Sequence, residues 1–210
     1  MVDLKQIAEK VIEGDSSNVA ALVKTALAKG INPQKILDEG LGAGMAVVGQ
    51  RFKADEMFIP EVLTSANAMV EGTGILEPAF ASSGGKTLAT VVLGTVKGDI
   101  HDVGKNIVAI MLKAAGFKAL DLGVDVPAEK FVEVVKAGEV SLVGMSALLT
   151  TTAPYMGTVI QALKEANVRD KVKVIVGGAI LTPAFAQQIG ADAYAPDGIA
   201  AAEKVKDLLA

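Results

Sequence analysis

The sequence predicts an α/β protein in which a four-helix bundle precedes a doubly wound parallel sheet. Residues 1–81 place apolar side chains at helical spacing, and glycines and prolines divide them into segments. From residue 88 onward, short apolar runs alternate with amphipathic segments, which is typical of parallel strands joined by helices. The small, polar, glycine-containing stretch 82–87 lies between them. We therefore expect a helical domain at 1–81, a linker at 82–87 and a sheet domain at 88–210.

Four helices with short turns are expected in the first domain. The first two end at Gly14 and Gly30, Asn32 caps the third, Pro60 opens the fourth, and Pro78 lies near its exit. Glycines that are costly in a helix occur at Gly40, Gly42, Gly44 and Gly49. We expect them to permit close packing of a neighbouring helix or of a ligand.

Five strands are expected in the second domain. They cover residues 88–96, 119–122, 141–146, 171–176 and 191–194. Helices are predicted at about 103–115, 127–137, 154–166, 183–189 and 198–209. The predicted sheet has a flavodoxin-like strand order, so a ligand is expected at the switch point near the first and third strands.

The loop 98–106 follows the first strand and contains His101, the only histidine of the 210 residues. A histidine two residues after an aspartate can offer one ring nitrogen to a metal while Asp99 holds the other N–H. A lone histidine at a strand end is more often a hydrogen-bonded surface or core residue, so both interpretations stay open. Because the chain has no second histidine and no cysteine, a metal on His101 is expected to bring its own ligands, as in a tetrapyrrole.

Other loop residues have an ordinary structural interpretation beside a functional one. Gly98 and Gly104 leave room for a bulky group against the backbone, and Asp102 can cap the next helix. Thr152 can cap the helix that follows the third strand. Paired glycines at 177 and 178 commonly make a turn.

Composition limits the class of protein. The chain is 51% apolar and 21% charged, with a net charge of −4 and no basic block, so nucleic acid is not an expected partner. The start of the chain has no signal-peptide pattern, and no apolar stretch is long enough for a membrane span. The expected location is therefore the cytoplasm.

Three separated motifs resemble the cobalamin-binding signature. They are Asp99-x-His101-x-x-Gly104, Ser146-x-Leu148 and Gly177-Gly178. This signature is shared by the cobalamin module of methionine synthase, the corrinoid proteins of methyltransferase systems and some mutases. The wider run 94–108 is similar to the methyl-transferring branch, and the resemblance extends over almost the whole chain, including its helical part.

The resemblance implies a cobalamin cofactor, as methylcobalamin or cob(I)alamin, with its nucleotide tail withdrawn from cobalt. It implies that His101 is the lower axial ligand of cobalt, that Asp99 holds the imidazole, and that Thr152 supports Asp99 where the family has a serine. Ser146 and Thr150 match positions that hydrogen-bond the tail. The remaining implied cofactor contacts in the second domain are Gly98, Ile100, Asp102, Val103, Gly104, Leu148, Gly177, Gly178 and Gly198.

The helical domain resembles the cap that shields the upper face of the corrin in these families. Residues 49–60 resemble the corresponding segment of those caps. On this basis Met45, Val48, Met57 and Phe58 are expected near the cofactor. The alternative is that each of them belongs to the apolar core of the bundle.

The implied function is that of a methyl-carrying corrinoid subunit rather than a complete enzyme. The implied partners are a substrate-specific methyltransferase, a second methyltransferase that delivers the methyl group to coenzyme M or tetrahydrofolate, and a reductive activation protein. A cobalamin-binding sensor is the alternative, although no basic output region is evident. A flavodoxin-like regulatory or nucleotide-binding domain without cobalamin, or a mutase subunit, fits the motifs and the helical domain less well.

Overall fold

A computed structural model describes residues 3–83, 89–138 and 140–209. It divides into two compact units, which we call the helical unit (Met1–Leu88 with Lys113–Gly116) and the sheet unit (Ala89–Leu112 with Phe117–Ala210). Residues 82 and 83 of the expected linker are helical, and its remainder, 84–87, lies outside the described residues. The domain bounds of the sequence analysis therefore stay a prediction.

The helical unit begins each of its early helices with a polar cap. Its elements are α1 (Leu4–Ile12), α2 (Ser16–Ala28), α3 (Pro33–Lys35), a π-helical segment (Ile36–Gly42), α4 (Ala43–Lys53) and α5 (Ile59–Ser83). The side chains of Asp3, Asp15 and Asn32 accept backbone N–H groups at the starts of α1, α2 and α3. The predicted cap at Asn32 is confirmed.

The third predicted helix contains a π-helical segment that the periodicity did not indicate. At its end, the Ala43 N–H donates to the carbonyl of Asp38, five residues earlier. Close packing explains two of the glycines, as expected. A Cβ at Gly44 would lie 2.7 Å from the Ala8 carbonyl oxygen, and one at Gly40 would lie 3.3 Å from the Ile7 side chain. The backbones of α1 and this helix therefore approach each other over a surface of small residues.

The fourth helix, α5, is longer than expected. Pro78 lies inside it and the helix continues to Ser83. The expectation that the helix exits near Pro78 is thus wrong. A proline removes one N–H donor and crowds the preceding turn. That local loss does not end a helix whose neighbouring turns are held by packing, and Leu76 and Phe80 on either side of Pro78 are buried.

The sheet unit alternates strands and helices throughout. Its elements are β1 (Thr90–Thr95), α6 (Val103–Ala114), β2 (Lys118–Asp121), α7 (Ala128–Lys136), β3 (Leu142–Ser146), α8 (Tyr155–Glu165), β4 (Lys173–Gly177), α9 (Pro183–Ile189), β5 (Ala193–Ala195) and α10 (Gly198–Leu209). The five strands are parallel in the order β2-β1-β3-β4-β5. This confirms the predicted flavodoxin-like order.

Apolar layers cover both faces of the sheet. One buried cluster joins Val92 and Val143 of the strands to Phe131 of α7 and Ile160 of α8. The opposite cluster includes Leu112 of α6 and other side chains from α10. Because helices cover both faces, the carboxyl ends of the strands are the part of the sheet open to a ligand. The strands β1 and β3 pair in register up to their last residues. Within 3–83, 89–138 and 140–209, no helix is both long and apolar enough to cross a membrane.

Candidate functional site

The loop after β1 places a buried carboxylate beside a half-exposed imidazole. His101 Nδ1 lies 2.7 Å from Asp99 Oδ1. The Asp99 side chain is fully buried, whereas 46% of the His101 side chain is exposed. The ring therefore turns Nδ1 toward the interior of the sheet unit and leaves its Nε2 side available to a ligand at the carboxyl edge of the sheet.

Hydrogen bonds surround the Asp99 carboxylate. Its Oδ1 also accepts the His101 backbone N–H at 3.0 Å. Its Oδ2 accepts the N–H of Leu148 at 2.8 Å, the N–H of Leu149 at 3.3 Å and the hydroxyl of Thr152 at 2.7 Å. Three of these donors come from the segment that follows β3, so the loop after β1 is bound to the neighbouring strand end.

These contacts indicate which ring nitrogen carries the proton. Burial alone would raise the pKa of Asp99, but the hydrogen bonds from Leu148, Thr152 and His101 hold that pKa well below its usual range. An ionised carboxylate only accepts hydrogen bonds, so the proton between the two groups lies on His101 Nδ1. A neutral imidazole in this arrangement has its lone pair on Nε2, which is the form that binds a metal ion.

Thr152 joins this arrangement and does not cap a helix. Helix α8 begins at Tyr155, and its cap position is Pro154. The Thr152 side chain is buried, and its hydroxyl also lies 3.0 Å from the Leu149 carbonyl oxygen. The structure thus brings together the three side chains that the sequence analysis grouped as His101, Asp99 and Thr152.

An exposed apolar rim surrounds His101. Ile100 is 74% exposed and Val103 is 71% exposed, although both are large aliphatic side chains. Leu148 and Leu149 are exposed as well, on the segment that binds Asp99. Grouped apolar side chains at an open sheet edge are typical of a ligand-binding or interaction surface.

Gly98, Asp102 and Gly104 were also predicted in the loop after β1, and they lie toward its two ends. Gly98 has a φ of +83°, and its N–H donates to Asp125. The Asp102 carbonyl accepts the Asn106 N–H at the start of α6. A Cβ at Gly104 would meet no atom within 4 Å, so this side of α6 is open.

The remaining predicted contacts lie at the carboxyl ends of β3 and β4. Ser146 and Gly177 are paired as the last residues of those strands, and Thr150 is exposed in the loop after β3. Gly178 has a φ of +148°, and a Cβ there would lie 2.0 Å from the Ala147 carbonyl oxygen. The backbone at Ala147 thus requires a glycine at position 178, whether or not a ligand lies beside it.

Gly198 is the first residue of α10. A Cβ at Gly198 would lie 3.2 Å from side-chain atoms of Ile107 and of Met111 in α6. This glycine therefore serves the close packing of α10 on α6. Its predicted contact with the cofactor stays a prediction.

The four predicted residues of the helical unit differ in exposure. Met45, Val48 and Met57 are buried. Phe58 is 68% exposed, and its N–H donates to the Glu61 carboxylate at the start of α5. Burial in the unit agrees with the core interpretation for the first three, and the expected proximity to a cofactor stays a prediction for all four.

Four polar residues that hold the loop were not predicted from the sequence. The buried Thr95 hydroxyl donates to the His101 carbonyl oxygen at 2.9 Å. Lys105, Asp121 and Asp125 make further contacts with the two ends of the loop. Their position at the carboxyl ends of β1 and β2, or at the start of α6, was the one signal in the sequence that could have identified them.

Comparisons with known proteins agree with this site. Residues 89–205 match a family model described as a B12 binding domain, and residues 3–77 match a second model with the same description. The first match extends over more than half of the chain. Each match falls largely within one of the two units.

Similar proteins cover nearly the whole chain. The dimethylamine corrinoid protein of Methanosarcina barkeri is 43% identical over 99% of this chain and 97% of its own. The trimethylamine corrinoid protein of the same organism is 44% identical over 96% of this chain and 94% of its own. The methanol:cobalamin methyltransferase complex MtaBC of Methanosarcina barkeri is a structural match with a TM-score of 0.83, at 32% identity over 97% of this chain and 78% of the matched chain. With both units matched and these identities extending over almost its full length, the chain belongs to the corrinoid protein family, whose members bind cobalamin.

Proposed function

We propose that this corrinoid protein is the methyl-carrying subunit of a multicomponent methyltransferase, and that His101 is the lower axial ligand of its cobalt. One observation supports this assignment above the others. Asp99 engages Nδ1 of the ring at 2.7 Å, so the metal-binding lone pair lies on Nε2, on the half-exposed side of His101. A histidine held in this way is the usual arrangement for a ligand of a metal ion.

The donor set and the surface both suit a corrin. A single histidine with no second ligand nearby in sequence fits a metal whose other positions are already filled by a macrocycle. The exposed side chains of Ile100, Val103 and Leu148 offer apolar area against which such a ring can rest. When bound, the cofactor supplies a cobalt ion that accepts and releases a methyl group.

The residues of this chain act on the histidine and its surroundings. Asp99 orients the imidazole and keeps the proton on Nδ1, and Thr152 orients Asp99. Asp99, Thr152 and the N–H groups of Leu148 and Leu149 form one connected network. A change of charge on His101 therefore acts on the buried Asp99 carboxylate and on its hydrogen-bond donors. Surrounding hydrogen bonds tune metal sites in this way.

A methylated amine is the proposed source of the methyl group. Relatives named as dimethylamine and trimethylamine corrinoid proteins are 43% and 44% identical to this chain over nearly its full length. In this proposal a substrate-specific methyltransferase presents the amine. A second methyltransferase passes the methyl group to coenzyme M or tetrahydrofolate. A reductive activation protein reduces the cofactor again after oxidation.

The ligand assignment is tested by electron paramagnetic resonance of the Co(II) state. Tag-free protein is grown with ¹⁵N, reconstituted with unlabelled hydroxocobalamin and reduced. If His101 is the axial ligand, the cobalt lines split into doublets from ¹⁵N, because only the protein is labelled. Unlabelled protein gives triplets from ¹⁴N.

The control is His101→Ala in the same labelled background. It is expected to lose the doublet splitting while the chain remains folded, since the His101 ring is half-exposed. Triplet splitting in the labelled wild type would mean that the nucleotide base of the cofactor, and not His101, binds cobalt. Failure of the wild type to retain a corrin would contradict the whole proposal.

A further inference from the structure

The segment that follows β2 contacts the His101 loop at both of its ends. We call this segment, residues 121–125, the β2 clamp. At the first end, the Gly98 N–H donates to Asp125 Oδ1 at 2.7 Å, and the Asp125 N–H donates to the Asp99 carbonyl oxygen at 2.9 Å. Asp125 therefore bonds to the backbone on both sides of the residue that orients the imidazole.

Asp125 makes these two bonds from an unusual backbone conformation. Its φ is +54°, in the left-handed region that non-glycine residues rarely adopt. Aspartate and asparagine tolerate this region better than other side chains do. The conformation lets one residue present both an acceptor and a donor to the same short stretch of loop, so the strain is retained where two hydrogen bonds depend on it.

The second end of the loop is held by a buried lysine. Lys105 follows Gly104 in the first turn of α6 and is only 3% exposed. Its Nζ donates to Asp121 Oδ2 and, at 2.8 Å, to Asn106 Oδ1. A lysine is rarely buried to this extent unless it is paired. The pair links the start of α6 to the last residue of β2.

The clamp is itself anchored on β1. The Thr95 N–H donates to the Gly123 carbonyl oxygen at 3.0 Å, and the Val126 N–H donates to the Thr95 carbonyl oxygen at 2.9 Å. The Gly123 N–H donates to Asp121 Oδ1 at 2.9 Å. Since Thr95 also holds the His101 carbonyl oxygen, the clamp and the loop share one support.

We propose that the β2 clamp fixes the direction of the His101 ring, with Asp125 and Lys105 as positioning residues that act through the two ends of the loop. Neither is proposed to touch the reacting group. The inference rests on His101 as the cobalt ligand, because a directed Nε2 matters for ligation. The direction of the His101 ring can be measured in the apoprotein, so the clamp is testable separately from cofactor binding.

The single histidine makes the test direct. Long-range ¹H–¹⁵N correlation spectra of tag-free apoprotein, recorded in alkaline buffer where imidazoles are neutral, report which ring nitrogen of His101 carries the proton. The wild type is expected to show one ring state with the proton on Nδ1. Cobalamin affinity, measured by absorbance titration, is the second readout.

Three variants separate the hydrogen bonds from the backbone strain. Asp125→Gly accepts the positive φ but lacks the carboxylate, whereas Asp125→Asn keeps an acceptor oxygen. Asp125→Gly and Lys105→Met are expected to give averaged ring signals and at least tenfold weaker cobalamin binding, which is the usual scale for residues that orient a ligand. Asp125→Asn is expected to restore the wild-type signals and an affinity within about threefold of the wild type.

Arg169→Met is the matched control for general loss of stability. Arg169 is another largely buried cation that ties chain segments together, through Asp192 and the carbonyl oxygens of Val172 and Gly190. It is expected to lower the unfolding temperature without changing the His101 ring signals. If Asp125→Gly leaves both the ring signals and the affinity unchanged, or if Arg169→Met disturbs the ring equally, the clamp proposal is wrong. Loss of the ring order with an unchanged cobalamin affinity would also contradict it.

Discussion

At the scale of single residues, Asp99 is the centre of the site. It is fully buried, and an isolated buried carboxylate would take up a proton rather than stay charged. It stays ionised because N–H and O–H donors from two loops converge on it. The same donors that keep the charge also fix its direction, so ionisation of Asp99 and orientation of His101 have one cause.

Thr152→Val tests one of these donors. Valine keeps the size of the side chain but removes the hydroxyl that lies 2.7 Å from Asp99 Oδ2, which leaves a buried charge with one partner fewer. We expect the free energy of unfolding of the apoprotein to fall by about 1–3 kcal/mol, measured by urea denaturation at neutral pH. Thr152→Ser keeps the hydroxyl and is expected to lose much less. An unchanged free energy of unfolding in Thr152→Val would contradict a stabilising role of this hydroxyl group.

Asp99→Asn tests the charge through the pH dependence of stability. The pKa of Asp99 is held below its usual range in the folded state, so its contribution to stability is fully present above the ordinary aspartate value of about 4. As the pH falls below that value, the unfolded chain takes up a proton that the folded chain refuses, and the contribution is lost. The variant is therefore expected to be less stable at pH 7 and to lose less stability between pH 5 and pH 3. An equal loss of stability between pH 5 and pH 3 in the variant and in the wild type would contradict this assignment.

The sequence predicts this residue constellation only in part. His101, Asp99 and Thr152 lie in motifs, and their side chains meet in the structure. Asp125 was missed because it bonds to backbone atoms of Gly98 and Asp99, and no residue pattern encodes a partner that is main chain. Lys105 lies within the quoted motif run, but its pairing with Asp121 depends on the register of β2 beside β1, which is a property of the folded sheet.

At the scale of elements, helix and strand identity followed from periodicity, whereas helix geometry did not. The sheet order was predicted because strands buried on both faces are continuous apolar runs in the sequence. Helices α1 and α2 were predicted because a glycine follows each of them closely. The π-helical segment Ile36–Gly42 was not predicted, since one extra residue in a turn shifts the apolar spacing only slightly. Packing across residues such as Gly44 decides that geometry.

Two glycines of the sheet unit predict opposite effects of the same substitution. At Gly178, an alanine Cβ would lie 2.0 Å from the Ala147 carbonyl oxygen with φ at +148°, so Gly178→Ala is expected to destabilise the apoprotein by several kcal/mol. At Gly104, in the first turn of α6, no atom lies within 4 Å of the added Cβ. Gly104→Ala is thus expected to raise apoprotein stability by about 0.5–1 kcal/mol, because alanine favours a helix.

Cobalamin affinity then separates fold from function at these two positions. If the cofactor rests against α6 beside His101, Gly104→Ala weakens binding although it stabilises the apoprotein. Absorbance titration with hydroxocobalamin measures the first effect, and urea denaturation measures the second. Unchanged affinity in Gly104→Ala would remove Gly104 from the predicted cofactor contacts. It would leave the assignment of His101 untouched.

At the scale of the whole molecule, function is divided between a scaffold and a site. The doubly wound sheet brings the carboxyl ends of β1 and β3 together, and this places the loops of His101 and Thr152 side by side. The two family matches follow the same division, with 3–77 in the helical unit and 89–205 in the sheet unit. Motifs in the sequence could predict the cofactor because the ligand loop is local. They do not establish a cofactor contact for Met45, Val48 and Met57, since the core of the helical unit accounts for the burial of these side chains.

Thermal unfolding of the full chain with and without hydroxocobalamin tests that division. A ligand that binds only the folded state stabilises it by about 2.7 kcal/mol at a free concentration of 100 times its dissociation constant. For a chain of this length that corresponds to a rise of about 5–10 °C in the unfolding temperature. If Met45, Val48, Met57 and Phe58 contribute to binding, signals from both units rise together, because cofactor release then requires both to open. His101→Ala is expected to reduce the rise. A transition of the helical unit that stays at its apoprotein temperature, while the sheet unit shifts, would show that the sheet unit alone binds the cofactor and that these four residues do not contribute to binding.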